Sequence, residues 1–174
     1  MYTILQEQGK TPEEAAHIVR VRSRDNSRLP MLWHDGDQAG FTTGTPWIKL
    51  DERYPLINAQ SEVDNPQSIY HHYRKLIKMR KNLPVMTDGE YVRLDEGHPE
   101  IYAYARMNKE QTLVVVSNFS DRGVSFELPE EMHDHLTESR SVQLLIGNTT
   151  EEPKLTPTVA LRPYASYMWL IHNN

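Results

Sequence analysis

The acidic residues that could do chemistry in the first part of the chain are few and closely spaced. Asp35 and Asp37 flank Gly36 and begin like a calcium-binding loop, but the later ligands and the closing glutamate of such a loop are missing. Two aspartates beside a glycine are more typical of a solvated turn than of a catalytic carboxylate pair. Arg24 and Asp25 are expected to form a structural ion pair. We therefore interpret these aspartates as structural and not catalytic.

The histidines do not have the spacing of a metal site. His71 and His72 are adjacent within a helical pattern, so their side chains point in different directions. His133 and His135 lie among acidic residues, and we expect them in a solvated turn. The sequence therefore predicts no metal site and no other cofactor.

Aromatic residues in the second half could form a platform on which a sugar ring stacks. Alternation along a strand places about half of such side chains toward the core, so the platform competes with simple core packing. The candidate residues are Tyr102, Tyr104, Tyr164, Tyr167 and Trp169.

Composition limits the classes of partner. The chain has 174 residues, a formal net charge of −5 and no cysteine. An acidic balance without a basic stripe argues against nucleic acid as a partner. No apolar run is long enough to span a membrane, and no signal peptide is visible at the N-terminus. The lack of cysteine fits a reducing cytoplasm, which is the predicted location.

Helical signals are confined to the first half. Thr11, Pro12 and Glu14 have the spacing of a capping box and predict a helix over 11–22. Residues 23–64 lack periodicity and predict a long ordered loop. Apolar residues at helical spacing predict a second helix over 65–82, capped by Asn65 and opened by Pro66.

After Pro84 the periodicity changes to two. Seven short runs read as strands, namely 91–94, 101–106, 113–116, 124–128, 142–146, 158–161 and 167–171. Residues 108–110 and 120–123 are expected to be hairpin turns. The prediction is a mainly β chain: a Greek-key β-sandwich over 85–174, preceded by a helical, loop-rich segment over 1–84.

Several ordered motifs resemble the C-terminal part of family-thirteen α-glucosidases of the oligo-1,6-glucosidase and trehalose-6-phosphate hydrolase type. The sequence reads SRDNSRLPMLW over 23–33 and QAGFTTGTPWI over 38–48, which is similar to the segment after the last catalytic residue of that family. Residues 65–81 resemble the final barrel helix. Further similarities lie in 101–104, 113–120, 126–129 and 161–164, and together they cover essentially the whole chain.

The resemblance implies that residues 1–84 are the end of a (β/α)₈ barrel. Intact members of the family are retaining glycosidases, which need two carboxylates about 5–5.5 Å apart. In the family these carboxylates come from barrel strands upstream of the segments matched here. A barrel takes about 250 residues, and the first predicted domain is far shorter. We therefore expect no catalytic residue in this chain.

One residue of the family's sugar pocket aligns with this sequence. Arg28 matches the arginine that helps to hold the non-reducing-end glucose, and it would bind substrate only in an intact enzyme. A guanidinium fork suits vicinal hydroxyls and a carboxylate partner. The chain departs from the family pattern at Leu29, Leu32 and His34, which leaves the choice of sugar open.

Two functions are compatible with the sequence. The first is the C-terminal portion of an α-glucosidase that hydrolyses short α-linked glucosides, either oligo-1,6-glucosides or trehalose 6-phosphate, and that is catalytically incompetent alone. The second is a non-catalytic carbohydrate-binding or structural β-domain from a truncated gene. In either case the apolar face of the barrel helix has to be covered by the β-domain or by another copy of the chain, and the second option predicts self-association.

Overall fold

The computed structural model describes residues 1–22, 24–137 and 139–174, and at positions 25 and 26 only the backbone. The predicted ion pair of Arg24 with Asp25 lies outside the described side chains. The chain forms two compact units, Met1–Lys75 and Leu76–Asn174, here called unit 1 and unit 2. The domain boundary placed after residue 84 stays a prediction.

Unit 1 begins with two short helices, α1 (Tyr2–Glu7) and α2 (Pro12–Arg22). The capping box predicted for α2 is present: the backbone N–H of Glu14 donates to Thr11 Oγ1 at 3.2 Å, and the N–H of Thr11 donates to the Glu14 carboxylate at 3.0 Å. Short 3₁₀ turns follow at Arg24–Ser27 and Asp37–Gly40. The helix predicted over 11–22 is therefore confirmed.

The stretch predicted to be loop contains a helix, α3 (Ala59–Asp64). Asn58 caps it: its side-chain oxygen accepts from the N–H of Ser61 at 2.9 Å, and the N–H of Asn58 donates to Ser61 Oγ at 3.2 Å. This reciprocal pair is a capping box in which serine replaces the usual glutamate. The absence of a longer apolar repeat is the reason why the pattern did not reveal α3.

The longest helix, α4 (Ile69–Asn82), begins later than predicted. Asn65 and Pro66 lie in a turn that is closed by the N–H of Ser68 donating to the Asn65 carbonyl at 3.0 Å. The cap is instead Ser68, whose Oγ accepts from the N–H of His71 at 3.3 Å. The capping role predicted for Asn65 is therefore wrong, because an earlier turn uses that residue.

Unit 2 contains all seven predicted strands. The large sheet has the order β1-β2-β3-β7-β5 and the small sheet pairs β4 with β6, with every pairing antiparallel. The strands are β1 (Glu90–Arg93), β2 (Ile101–Met107), β3 (Gln111–Asn118), β4 (Val124–Glu127), β5 (Ser141–Gly147), β6 (Thr158–Leu161) and β7 (Ser166–His172).

The two sheets enclose the main hydrophobic core of unit 2. Trp169 and Val114 project from the large sheet, and Phe126 and Val159 project from the small one, all of them buried in one cluster. Helix α6 (Glu130–Thr137) adds Met132 to the same cluster. The β-sandwich prediction is confirmed.

Helix α6 corrects the expectation for the second histidine pair. His133 and His135 lie within this helix and not in a solvated turn. The ring of His133 bonds the Leu128 carbonyl at 3.1 Å and so ties α6 to the end of β4. Among the described residues, no cluster of three or more acidic, histidine or cysteine side chains could hold a metal ion.

One of the two predicted hairpin turns is wrong. Residues 108–110 do link β2 to β3, and Asn108 Oδ1 accepts from the N–H groups of Glu110 and Gln111. Residues 120–123 instead carry the chain from β3 in the large sheet to β4 in the small one. A local turn signal cannot distinguish these cases, because strand pairing depends on distant partners.

The other face of the large sheet carries a second cluster. Val115 and Met168 pack there against Leu76 and Met79 of α4 and against α5 (Val85–Asp88). The Arg106 guanidinium fastens α5 by donating to three backbone carbonyl groups, those of residues 85, 87 and 89. Helix α5 was not predicted, because a single turn leaves no periodic signal.

Candidate functional site

The segment that carries Arg28 lies at the surface of unit 1. The Arg28 side chain is exposed, and none of the described residues bonds to its guanidinium. Two residues later Pro30 is buried, which fixes the backbone next to the arginine. Arg28 is therefore a charged group on an anchored segment, and within the described chain it is free to bind an external ligand.

A tight loop supports the same segment. The N–H of Trp33 donates to the Ala39 carbonyl at 2.9 Å, and the N–H of Gly36 donates to His34 Nδ1 at 3.0 Å. Gln38, Ala39 and Gly40 all have positive φ, of 50°, 52° and 67°. Such a run of left-handed backbone is costly for residues with a Cβ and persists only where the surroundings enforce it.

Hydrogen bonds also join the Arg28 segment to α3, and α3 in turn to α4. The N–H groups of Ala59 and Gln60 donate to the carbonyls of Leu32 and Trp33 at 2.8 and 3.0 Å. At the other end of α3, the His71 ring bonds the Val63 carbonyl at 2.8 Å. Unit 1 is therefore held mainly by polar backbone contacts along a chain of consecutive segments.

An open pocket of about 500 Å³ lies in the loop between the 3₁₀ turn and α3. Pro46, Trp47 and Tyr54 give it an apolar wall, and Lys49 and Glu52 lie at its rim as an ion pair. Aromatic and apolar walls with a few polar groups suit a sugar ring. Its one acidic side chain is Glu52, whereas retaining glycoside hydrolysis needs two carboxyl groups.

The carboxylates near this pocket are held ionised by neighbouring cations. The Asp51 carboxylate accepts from the Arg53 side chain and from its backbone N–H, which holds the pKa of Asp51 far below its ordinary value. The hydrogen bond from Lys49 likewise lowers the pKa of Glu52. A general acid needs a raised pKa, so neither residue has the electrostatics of a catalytic acid.

A second pocket, of about 630 Å³, lies in unit 2 beside the β2–β3 hairpin. Lys109, Arg140 and His172 line it together with one acidic side chain, that of Glu110. A cationic lining with a single acidic side chain does not provide the pair of acidic side chains that this chemistry needs.

The aromatic platform takes a different form from the predicted one. Tyr167 and Trp169 are buried in the core, so they cannot bind an external sugar. Tyr102 and Tyr104 instead cluster with Tyr91, at ring-centroid distances of 5.6 Å for Tyr102–Tyr104 and 5.5 Å for Tyr91–Tyr104. These three residues are called the tyrosine cluster below.

The tyrosine cluster is partly open to solvent. The hydroxyl groups of Tyr91 and Tyr102 are 3.1 Å apart, and this hydrogen bond is the main reason why the pKa of Tyr91 is raised. Tyr91 was missed at the sequence level, because only the register of β1 against β2 brings it to the same face as Tyr104. Tyr164 is exposed at positive φ and lies outside the cluster.

Two consecutive segments of the chain match known protein families. The model of the α-amylase catalytic domain matches residues 1–89, and that of the maltogenic amylase C-terminal domain matches residues 91–169. The two matches follow one another along the chain in the order of a barrel end and a β-domain. The chain belongs to the α-amylase family, and its fold is a barrel remnant followed by a C-terminal β-sandwich.

Curated relatives include an oligo-1,6-glucosidase from Parageobacillus thermoglucosidasius, 36% identical over 96% of this chain and 29% of the relative. Trehalose-6-phosphate hydrolase from Bacillus subtilis is 34% identical over 97% of this chain and 29% of the relative. A crystal structure of trehalose-6-phosphate hydrolase from Bacillus licheniformis matches with a TM-score of 0.88 and 36% identity, covering 99% of this chain and 31% of that protein.

These matches bear out the family resemblance found in the motifs. The chain spans less than a third of the length of these relatives. In the described part of the chain, no helix is both long and apolar enough to cross a membrane. The role of Arg28 stays a prediction, since none of these findings tests it.

Proposed function

We propose that this chain is the C-terminal portion of a retaining α-glucosidase that acts on short α-linked glucosides, and that it is catalytically incompetent alone. The observation that carries the proposal is the consecutive match to a catalytic-domain end and a C-terminal domain, together with coverage of only 29% of an oligo-1,6-glucosidase. Each of the two pockets described above carries a single acidic side chain, which supports the second half of the proposal.

The direct test is an assay of the purified chain with a chromogenic α-glucoside. We expect no turnover above the uncatalysed rate. Hydrolysis that a single carboxylate substitution abolishes would refute the proposal, because it would show a complete catalytic pair within these residues.

Arg28 is the substrate-binding residue of this proposal. Its exposure and the lack of a bonded partner among the described side chains leave its five N–H donors available for sugar hydroxyls. A hydrogen bond that involves a charged group contributes about 1.5–3 kcal/mol, so we expect Arg28→Ala to lower kcat/KM about 10- to 150-fold in an intact enzyme.

The role of Arg28 can be tested in a chimera. This chain would replace the matching segment of the Bacillus licheniformis trehalose-6-phosphate hydrolase, and Arg28→Ala would be compared with Arg22→Ala on α2. A loss confined to Arg28→Ala supports the assignment. Equal kcat/KM values for the two variants would remove it.

A binding role for the β-domain is the second candidate, favoured by the partly exposed tyrosine cluster. Tyrosine rings stack on the apolar faces of sugars, and their hydroxyls can bond sugar oxygens. A titration with maltose and isomaltose that gives no saturable signal at millimolar sugar would remove this candidate. A signal lost in Tyr102→Ala but kept in Tyr164→Ala would support it.

The proposal also includes self-association of the chain and a cytoplasmic location. Large apolar side chains are exposed throughout unit 1, among them Trp33, Phe41 and Trp47. In the absence of another partner they favour association of copies, and sedimentation that shows a monomer at high concentration would argue against it. We place the protein in the cytoplasm, on the absence of cysteine from the sequence.

A further inference from the structure

Unit 1 has almost no apolar interior of its own. Its described buried side chains are those of Ala15, Pro30, Ala39, Asn58 and Ser68, none of which is a large apolar residue. The other buried apolar side chains of the described chain belong to unit 2. A compact unit of this size normally depends on a hydrophobic core, so the surface that stabilises unit 1 has to be supplied from elsewhere.

The large apolar residues of unit 1 are instead exposed, and several lie on segments that hydrogen bonds connect. Leu56 is 82% exposed just before α3, and Ile69 is 72% exposed at the start of α4. The bonds from α3 to the 32–33 segment and from His71 to the end of α3 link these regions. We call the exposed residues of these segments the apolar surface: Met31, Trp33, Leu56, Ile57, Val63, Ile69 and Tyr73.

We propose that the apolar surface binds the barrel-forming part of an α-glucosidase of this family, and that it does so when that part is supplied as a separate polypeptide. The inference rests on the proposed function. Residues 1–89 match the catalytic domain, yet the chain covers only 31% of a solved relative whose fold it shares over 99% of its own length. The part of the relative that lies outside the match therefore has the fold expected of a partner for the apolar surface.

The chemistry of the surface supports an apolar, non-electrostatic contact. Its members are aliphatic or aromatic, and exposed apolar groups of this size mark sites of protein association. Two described ion pairs of unit 1, Lys49–Glu52 and Arg53–Asp51, lie outside these segments. Binding is expected to bury the apolar surface and to place Arg28, which precedes Met31 by three residues, at the edge of the contact.

The experiment is trans-complementation. The portion of Bacillus licheniformis trehalose-6-phosphate hydrolase that precedes its match to this chain, called the barrel piece, is co-expressed with a tag and captured together with this chain. The barrel piece co-expressed with its own C-terminal segment calibrates the capture. We expect stoichiometric co-purification and, as a second readout, hydrolysis of trehalose 6-phosphate by the complex.

Single charges on the surface test its location. Leu56→Asp and Ile69→Asp should each weaken the complex at least 10-fold, because an unpaired carboxylate would be buried. The matched control is Phe119→Asp in unit 2, at a residue that is 71% exposed and outside the apolar surface. Since all three side chains are exposed, circular dichroism should show the same fold for each variant.

The outcomes separate this inference from the proposed function. Capture that depends on Leu56 and Ile69 supports the inference, whether or not the complex is active; capture without hydrolysis counts against the proposed function only. Absence of capture, or capture that both aspartate variants leave unchanged, overturns the inference. The chain could also form a homodimer that the same variants dissociate and that persists when the barrel piece is added. This result would overturn the inference, because a second copy would then occupy the apolar surface.

Discussion

Replacement of Asn118 by alanine should strongly destabilise the β-sandwich. This side chain is 3% exposed and makes four hydrogen bonds. Its amide nitrogen donates to the carbonyls of Arg122 at 2.7 Å and Arg162 at 3.0 Å, and its oxygen accepts from the N–H and hydroxyl of Ser120 at 2.9 and 2.8 Å. It therefore joins the end of β3 to the turns before β4 and β7.

The expected magnitude follows from these bonds. A typical hydrogen bond contributes about 0.5–1.5 kcal/mol net, and an unsatisfied buried group costs about 1–3 kcal/mol. Because water can reach part of the two turns, we expect Asn118→Ala to lower the free energy of unfolding by about 2–4 kcal/mol. Asn148→Ala is the matched control, since that exposed side chain makes two such bonds and water can replace them.

Urea unfolding monitored by tryptophan fluorescence measures the difference. Trp169 is buried in the sandwich core, whereas Trp33 and Trp47 are exposed, so the signal reports mainly on unit 2. The slope against urea should stay constant while the midpoint falls. If Asn118→Ala and Asn148→Ala differed by less than about 0.5 kcal/mol, the assigned role of the buried network would be wrong.

Three further predictions concern single residues. Burial raises the pKa of Asp95, but hydrogen bonds from the guanidinium of its neighbour Arg93 and from two backbone N–H groups lower it by more. The net lowering stabilises the fold above about pH 4, and this stabilisation is lost as the pH falls. Asp95→Asn should therefore reduce the acid-induced fall in the free energy of unfolding, measured by urea titration at a series of pH values. Gly40→Ala would place a Cβ 2.3 Å from His34 Nε2 at a φ of +67°, and it should therefore speed proteolysis of that loop. The control Gly44→Ala should not, because its Cβ would meet its nearest atom at 3.8 Å. Arg106→Gln should lower the free energy of unfolding by about 1–3 kcal/mol in urea, because three backbone carbonyls lose their donor; an unchanged midpoint would contradict that role.

The strands could be predicted because the alternation of apolar and polar residues along a strand is a local sequence signal. In β2, the residues Ile101, Ala103 and Ala105 are buried while Tyr102 is exposed, as the period of two requires. The order of the strands could not be predicted, because β7 pairs with β3 and β5 across long stretches of sequence. For the same reason the turn at 120–123 was assigned to a hairpin that does not form.

The candidate site could be predicted only through resemblance. Nothing in the spacing around Arg28 predicts a sugar ligand; that role rests on the resemblance alone, which implies partner residues outside this segment. The start of α4 shows that a local rule can also mislead. Asn65 and Pro66 satisfy the rules for a helix start, but they lie in a preceding turn, and Ser68 is the N-cap. The tyrosine cluster depends on cross-strand register, which the sequence pattern of β1 and β2 does not contain.

Catalytic incompetence of the chain is tested most sharply by comparing turnover by the chain alone with turnover by its complex with the barrel piece. A chromogenic α-glucoside and trehalose 6-phosphate would be assayed under the same conditions. We expect no hydrolysis by the chain alone, and hydrolysis by the complex that Arg28→Ala reduces. Hydrolysis by the purified chain itself, removed by substitution of one of its own carboxylates, would show that a complete catalytic pair lies within these residues.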